Sequence, residues 1–398
     1  MNKIFLSLAL VFTLVSALVL TPALSAKAEP VASPIPIGLA VATSSNIALF
    51  GQEQVHGAKI AEAYLNAQGG VNGTPVTLII QDTAGDEAGA ISAFQSLISA
   101  KVVGIVGPTL SQQAFAADPL ANSAGVPVVA PSNTAKGITK LGEYISRVSA
   151  PMSAVAPKSL HKALALDPRI RNVAVLYAQN DAYSASETGV FQQAIKTLGL
   201  KVISLQTFQT TDTDFSAKVT NVLTAKADLV VISGLAEDSS RLVKQLRQSG
   251  YKGLIVGGNG FNSPHMFPVC GAVCDGVLVA QAYNPHAQSA VNEEFIRRFA
   301  QAYGRPPAQF SAQAFTAVQV LVEALRKAEQ NTGKKITALD LTEARKAANT
   351  ALTSGLTFQT PLGEISITSQ GEVDQKRFYV SRITISPDGK TGDFVLAE

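Results

Sequence analysis

The chain has 398 residues, enough for two domains of ordinary size, and its 46% hydrophobic and 15% charged content excludes an intrinsically disordered protein. Trp is absent and aromatics make up only 6%, in a background rich in Ala, Val and Gly that suits α/β folds. The net charge is +3, and setting aside Lys3 and Lys27 of the N-terminal segment leaves 30 basic residues against 29 acidic ones, so nothing electrostatic favours nucleic acid or an anionic membrane.

The first thirty residues, MNKIFLSLALVFTLVSALVLTPALSAKAEP, open with a basic residue, Lys3, and continue as an apolar run over 4–20. Small residues follow, and Ala26-Lys27-Ala28 fits the small-x-small cleavage rule. Residues 1–28 therefore read as a signal peptide, with a mature chain starting at Glu29 and exported to the periplasm. The competing reading is an uncleaved anchor, since the run approaches spanning length. No Cys lies near the cleavage region, which argues against a lipoprotein.

Beyond the leader, apolar runs and amphipathic segments alternate. Strands are expected at 35–42, 74–83, 102–106 and 126–132, separated by helices at 50–70, 87–101 and 111–125, with a further short strand at 143–150. The pattern restarts with strands at 172–180, 201–208, 227–234, 252–260 and 276–283, alternating with helices at 184–199, 215–226 and 238–250. Helices at 290–303 and 309–330 come next, and residues 358–386 read as short hairpin strands. Two rounds of βαβ alternation predict an α/β protein with two Rossmann-like lobes built on parallel sheets. No low-complexity linker separates them.

The two Cys, Cys270 and Cys274, stand in VCGAVCD. In an exported chain this spacing reads as a local disulfide. The four His are scattered along the chain, so no metal site is expected.

Two neighbouring strand ends carry small hydroxyl residues. One turn reads Gly107-Pro108-Thr109-Leu110-Ser111, the other Pro131-Ser132-Asn133-Thr134. Ligands of open α/β sheets bind beyond the carboxyl ends of the strands. The turn hydroxyls, beside helix N-termini with unpaired N–H groups, form a neutral cradle that suits a carboxylate. Plain helix capping is the competing reading.

At this point the sequence resembles the type I periplasmic solute-binding proteins of ABC importers, near the leucine/isoleucine/valine-binding protein. The blocks that carry the resemblance are FGQEQVHGAKIAEAYLNAQGGVNGTPVTLIIQDTAGD, VVGIVGPTLSQ, GVPVVAPSNTA, NVAVLYAQNDAYSAS, TDTDFSAKV and ADLVVISGLAEDSSRLVKQLRQSG. Together they span nearly the whole mature chain. The resemblance implies a Venus-flytrap: two lobes joined by a three-segment hinge, with 35–153 and 283–360 in the first lobe and 154–282 and 361–398 in the second. It implies a monomer that uses no cofactor and delivers its small-molecule ligand, an amino acid or related carboxylate, to an ABC-type membrane permease. It places Ser111, Ser132 and Thr134 on the ligand's α-carboxylate, with Tyr183 as an aromatic from the second lobe and Phe50 as the first-lobe aromatic. The family's ammonium contact, an acid in the turn after the last Gly-rich strand, falls on Asn259. Asp181 is the candidate for restoring that charge, against a capping role in its own turn.

A neutral or branched-chain amino acid is the leading expected ligand, and a non-amino carboxylate or an amide the alternative, favoured by Asn259. A ligand-sensing receptor subunit would use the same cleft. An enzyme is not expected: no phosphate-binding loop, G-x-S-x-G or H-E-x-x-H motif occurs.

Overall fold

The computed structural model describes residues 33–397. The expected signal peptide, 1–28, lies outside the described residues. The first lobe is built on β1 (Ile35–Val41), β2 (Val76–Asp82), β3 (Ile105–Val106), β4 (Val128–Ala130) and β5 (Ile145–Arg147), a parallel sheet in the order β2-β1-β3-β4-β5. Helices α1 (Ala48–Ala67), α2 (Glu87–Ser99) and α3 (Ser111–Ser123) connect its first four strands.

The chain then crosses at 148–151 into α4 (Met152–Leu166) and the second lobe. There β6 (Asn172–Ala178), α5 (Ala182–Thr197), β7 (Lys201–Phe208), α6 (Ser216–Ala225), β8 (Leu229–Ser233), α7 (Ala236–Gln248), β9 (Leu254–Gly257), α8 (Met266–Cys270) and β10 (Leu278–Gln281) follow. The strand order repeats that of the first lobe, β7-β6-β8-β9-β10, and every pairing among these five is parallel. β8, LVVIS, is buried throughout, as a strand covered by helices on both faces must be.

A second crossing returns the chain to the first lobe as α9 (Ala290–Tyr303), α10 (Gln309–Thr332) and α11 (Leu341–Leu352). β11 (Thr357–Thr360), β12 (Gly363–Ile367) and β13 (Val373–Gln375) form a small antiparallel sheet of their own. It stays with the first lobe: Gln319 of α10 donates to the Gln359 carbonyl, and Arg147 of β5 bonds Gly371 through its N–H and Glu372 through its guanidinium. The boundary expected between 360 and 361 therefore falls inside a hairpin, and the third crossing comes at 376–378. β14 (Tyr379–Ile385) and β15 (Gly392–Leu396) then add antiparallel to β10 at the edge of the second-lobe sheet.

The result is an α/β architecture of two lobes on a three-segment hinge. Helices α4, α8 and α11 lie where the sequence suggested no element. Residues 102–104 are also less regular than expected, with only Ile105–Val106 paired as strand. Among the described residues no helix is long and apolar enough to cross a membrane.

One helix contact positions the ligand side of the first lobe. α1 and α10 pack closely enough that a Cβ on Gly57 would strike the Ser311 carbonyl. That approach brings Phe310 beside Phe50, edge-to-face with ring centroids 5.0 Å apart.

Candidate functional site

In both lobes the strand order reverses beside the first strand, between β1 and β3 and between β6 and β8. These are the switch points at which open sheets leave a crevice. The two crevices face each other and leave between them a partly open cavity of about 30 Å³. The first lobe lines it with Phe50, Thr109, Leu110, Ser111, Ser132 and Phe310, the second with Tyr183, Leu235, Asn259 and Gly260. None of these side chains carries a charge, and the space is on the scale of a few water molecules. Anything larger requires the lobes to stand further apart.

The first-lobe hydroxyls are not equivalent. The Ala42 N–H donates to Thr109 Oγ1 at 3.0 Å, so the Thr109 hydroxyl spends its own proton on Gln54 Oε1 at 2.6 Å. Gln54 Nε2 then donates to Ser132 Oγ, and Ser132 donates back to the Thr109 carbonyl, both at 2.7 Å. Backbone groups at both ends fix the direction of every bond in this ring, and neither hydroxyl has a proton left for a ligand. Ser111 differs. Its Oγ only accepts, at 3.4 Å, from the Ala135 N–H, and its proton is uncommitted. Ser111 also opens α3, whose N-cap residue, Leu110, has no side-chain acceptor; Gln113 Oε1 takes the Leu110 N–H at 3.0 Å and leaves the N–H groups of the first turn itself free. Unpaired helix N–H groups and a free hydroxyl thus meet at the cavity wall.

The second-lobe wall is held by a buried carboxylate. Glu187 accepts from the Asn259 N–H and from the Tyr183 hydroxyl, each at 2.8 Å, and Tyr183 Oη accepts from the Gly260 N–H at 2.8 Å. The bonds tie α5 to the turn after β9. The turn lies so close that a Cβ on Gly258 would collide with Glu187 Oε2. Burial pushes the Glu187 carboxyl up to about 7, against the pull of the Asn259 N–H and the Tyr183 hydroxyl. Burial likewise raises Asp181 and Asp238 on the same side of the cleft.

Among the described residues, several contacts link the lobes around this cavity. Gln309 Nε2 donates to Asn259 Oδ1 at 2.8 Å, Lys136 N–H to Ser186 Oγ at 2.9 Å, and Ala182 N–H to Gln112 Oε1 at 3.4 Å. His265 Nε2 stands 3.6 Å from Glu53 Oε1. Burial works to raise the Glu53 carboxyl, but His265, Ser311 and Arg305 together hold it below the ordinary range.

The sequence pattern of the family described as "Periplasmic binding protein" matches residues 34–390. The chain belongs to this family. The Leu/Ile/Val-binding protein homolog 7 of Brucella abortus (strain 2308) is 30% identical over 323 residues, 77% of this chain and 80% of the relative. Two solved structures share the periplasmic-binding-protein fold. The branched-chain amino acid transporter substrate-binding protein LivJ from Streptococcus pneumoniae, in complex with isoleucine, has a TM-score of 0.79 at 24% identity, covering 92% of this chain and 99% of that one. A solute-binding protein of an ABC transporter from Rhodopseudomonas palustris BisB5, in complex with 3,4-dihydroxybenzoic acid, has a TM-score of 0.78 at 22% identity, covering 92% and 96%. The family comprises solute-binding proteins rather than enzymes, and its periplasmic character implies work outside the cytoplasm.

In this binding protein the cavity brings together Phe50, Ser111, Ser132, Tyr183 and Asn259 of the expected site residues. Thr134 and Asp181 are not in its lining. Thr134 is buried, with Oγ1 unpartnered, and borders a neighbouring crevice beside Lys136. Asp181 caps α5: its Oδ2 accepts from the Ser184 N–H at 2.8 Å and the Ser184 hydroxyl at 2.6 Å. Leu110, Phe310 and Glu187 were not foreseen. Glu187 had a signal, since it follows Tyr183 by four positions, one turn along a helix. Phe310 had none beyond its place at the start of an expected helix. Cys270 and Cys274 lie with their Cα atoms 5.7 Å apart, within disulfide range.

Proposed function

We propose that this periplasmic binding protein captures a small carboxylate-bearing solute between its lobes and hands it to an ABC importer. The proposal includes export as a monomer with residues 1–28 removed and a Cys270–Cys274 disulfide in the mature chain. The observation that carries the ligand reading is the first turn of α3, whose N-cap residue lacks a side-chain acceptor, with the uncommitted Ser111 hydroxyl beside it at a switch point. Together they offer neutral donors to an anion without a buried cation. Phe50, Leu110, Leu235 and Phe310 enclose the ligand's apolar body.

A thermal-shift screen over amino acids, benzoates and short aliphatic carboxylates tests this reading. A ligand at 100 times its Kd stabilises the fold by about 2.7 kcal/mol, a clear rise in Tm. At least one carboxylate is expected to raise Tm, while its methyl ester does not. A screen in which esters and acids shift Tm equally would remove the carboxylate from the reading.

A further inference from the structure

Resting on the carboxylate reading above, we infer that the ligand carries no ammonium: it is a monocarboxylic acid with a neutral oxygen acceptor, an oxo or hydroxyl group, that meets the side-chain amide of Asn259. The inference comes from the direction of hydrogen bonds around Asn259. The Ala282 N–H, an unambiguous donor, bonds Gln309 Oε1 at 2.8 Å. Gln309 must then present Nε2 at its other end, and that group donates to Asn259 Oδ1 at 2.8 Å. A second amide agrees. Asn262 Nδ2 donates to the Ala280 carbonyl at 2.9 Å, and the same nitrogen faces Asn259 Oδ1 at 3.4 Å. Two backbone groups therefore orient Asn259 through two independent neighbours. Its oxygen is occupied, and among the described residues no acceptor meets its Nδ2.

An amide so oriented gives hydrogen bonds to the cavity it lines and takes none. The other lining polar side chains offer only neutral hydroxyl lone pairs, one left on each of Thr109, Ser132 and Ser111. The Thr109 and Ser132 hydroxyls are held in their closed ring, and Tyr183 directs its proton to Glu187 and accepts from Gly260. An ammonium has three donors to satisfy and loses its hydration on burial, and this lining returns no charged or amide acceptor. Glu187 stands behind the wall, with its oxygens on the Asn259 N–H and the Tyr183 hydroxyl, so it does not reach the ligand. A second carboxylate on the ligand is disfavoured for the converse reason, because the lining holds no cation to offset it.

Matched acids differing only at one position test the inference by calorimetry. The probes are L-leucine, 4-methyl-2-oxopentanoate and its 2-hydroxy analogue, with L-alanine, pyruvate and lactate as the short series. In at least one series the oxo or hydroxy acid should bind at least tenfold more tightly than its amino acid. Asn259→Asp should reduce that ratio at least tenfold, because it exchanges the donor for an anion. If an amino acid binds as tightly as its partners or more so, the inference is overturned while the carboxylate reading stands. If no acid of either series binds and the wider carboxylate screen is also blank, both fall together.

Discussion

Ser111 and Ser132 carry the same hydroxyl at the ends of adjacent strands, yet their surroundings give them different work. Ser111→Ala removes a free donor to a charged ligand group. A hydrogen bond of that kind contributes about 1.5–3 kcal/mol, so affinity should fall roughly tenfold to a hundredfold with little change in Tm. Ser132→Ala instead opens the ring through Thr109 and Gln54 and leaves the Gln54 Nε2 donor unpaired. Its main effect should be a stability loss of about 1–3 kcal/mol, seen as a lower Tm without ligand. Calorimetry and thermal melts of the two variants check this; equal behaviour of both would erase the distinction. The sequence showed that hydroxyls cluster at these turns. It did not show which were free, because Gln54 and Ser132 are 78 positions apart. The polarity of Asn259 was illegible for the same reason, since Gln309 lies 50 positions away. Asp181 was ambiguous between cap and ligand; its Oδ2 makes the cap with Ser184, while its buried Oδ1 has no partner.

At the scale of elements, α5 and the turn after β9 are joined through one carboxylate. The folded protein holds the Glu187 proton up to about pH 7, whereas an ordinary glutamate releases it near 4.5. Between those values the native state binds more protons than the unfolded chain, so this group's contribution falls as pH rises and levels off above 7. Glu187→Gln keeps a neutral side chain at every pH. The Tm of the wild type relative to this variant should therefore decline from pH 4.5 to about 7 and then stay flat. A difference that stays constant across that window would show that Glu187 does not titrate there. Hydrophobic periodicity made most strands and helices of both sheets legible, because parallel strands covered on both faces become continuous Val, Ile and Leu runs, as in β8. It failed where elements are short. β12 and β13 have alternating patterns that fit either lobe, and bonds such as those from Arg147 and Thr139 to Glu372 show where they belong.

At the scale of the molecule, the two lobes repeat one strand order and point their switch points at each other. Phe50 and Phe310 face Tyr183 and Leu235 across the same cavity, so closure itself completes the apolar enclosure. The linking contacts are few, which suits a joint that must open: Gln309–Asn259, Lys136–Ser186, Gln112–Ala182 and the approach of His265 to Glu53. The central claim is that the solute reaches its site only by separation of the lobes. A cross-link at the Lys136–Ser186 contact tests it most directly. The double variant Lys136→Cys/Ser186→Cys, oxidised to join the lobes and confirmed by mass, is titrated calorimetrically with the best acid from the screen. The oxidised protein should show no binding heat, and reduction of the cross-link should restore the affinity of the wild type. Binding of equal affinity and rate in the joined and reduced forms would contradict the account, because the solute would then be held somewhere other than between the lobes.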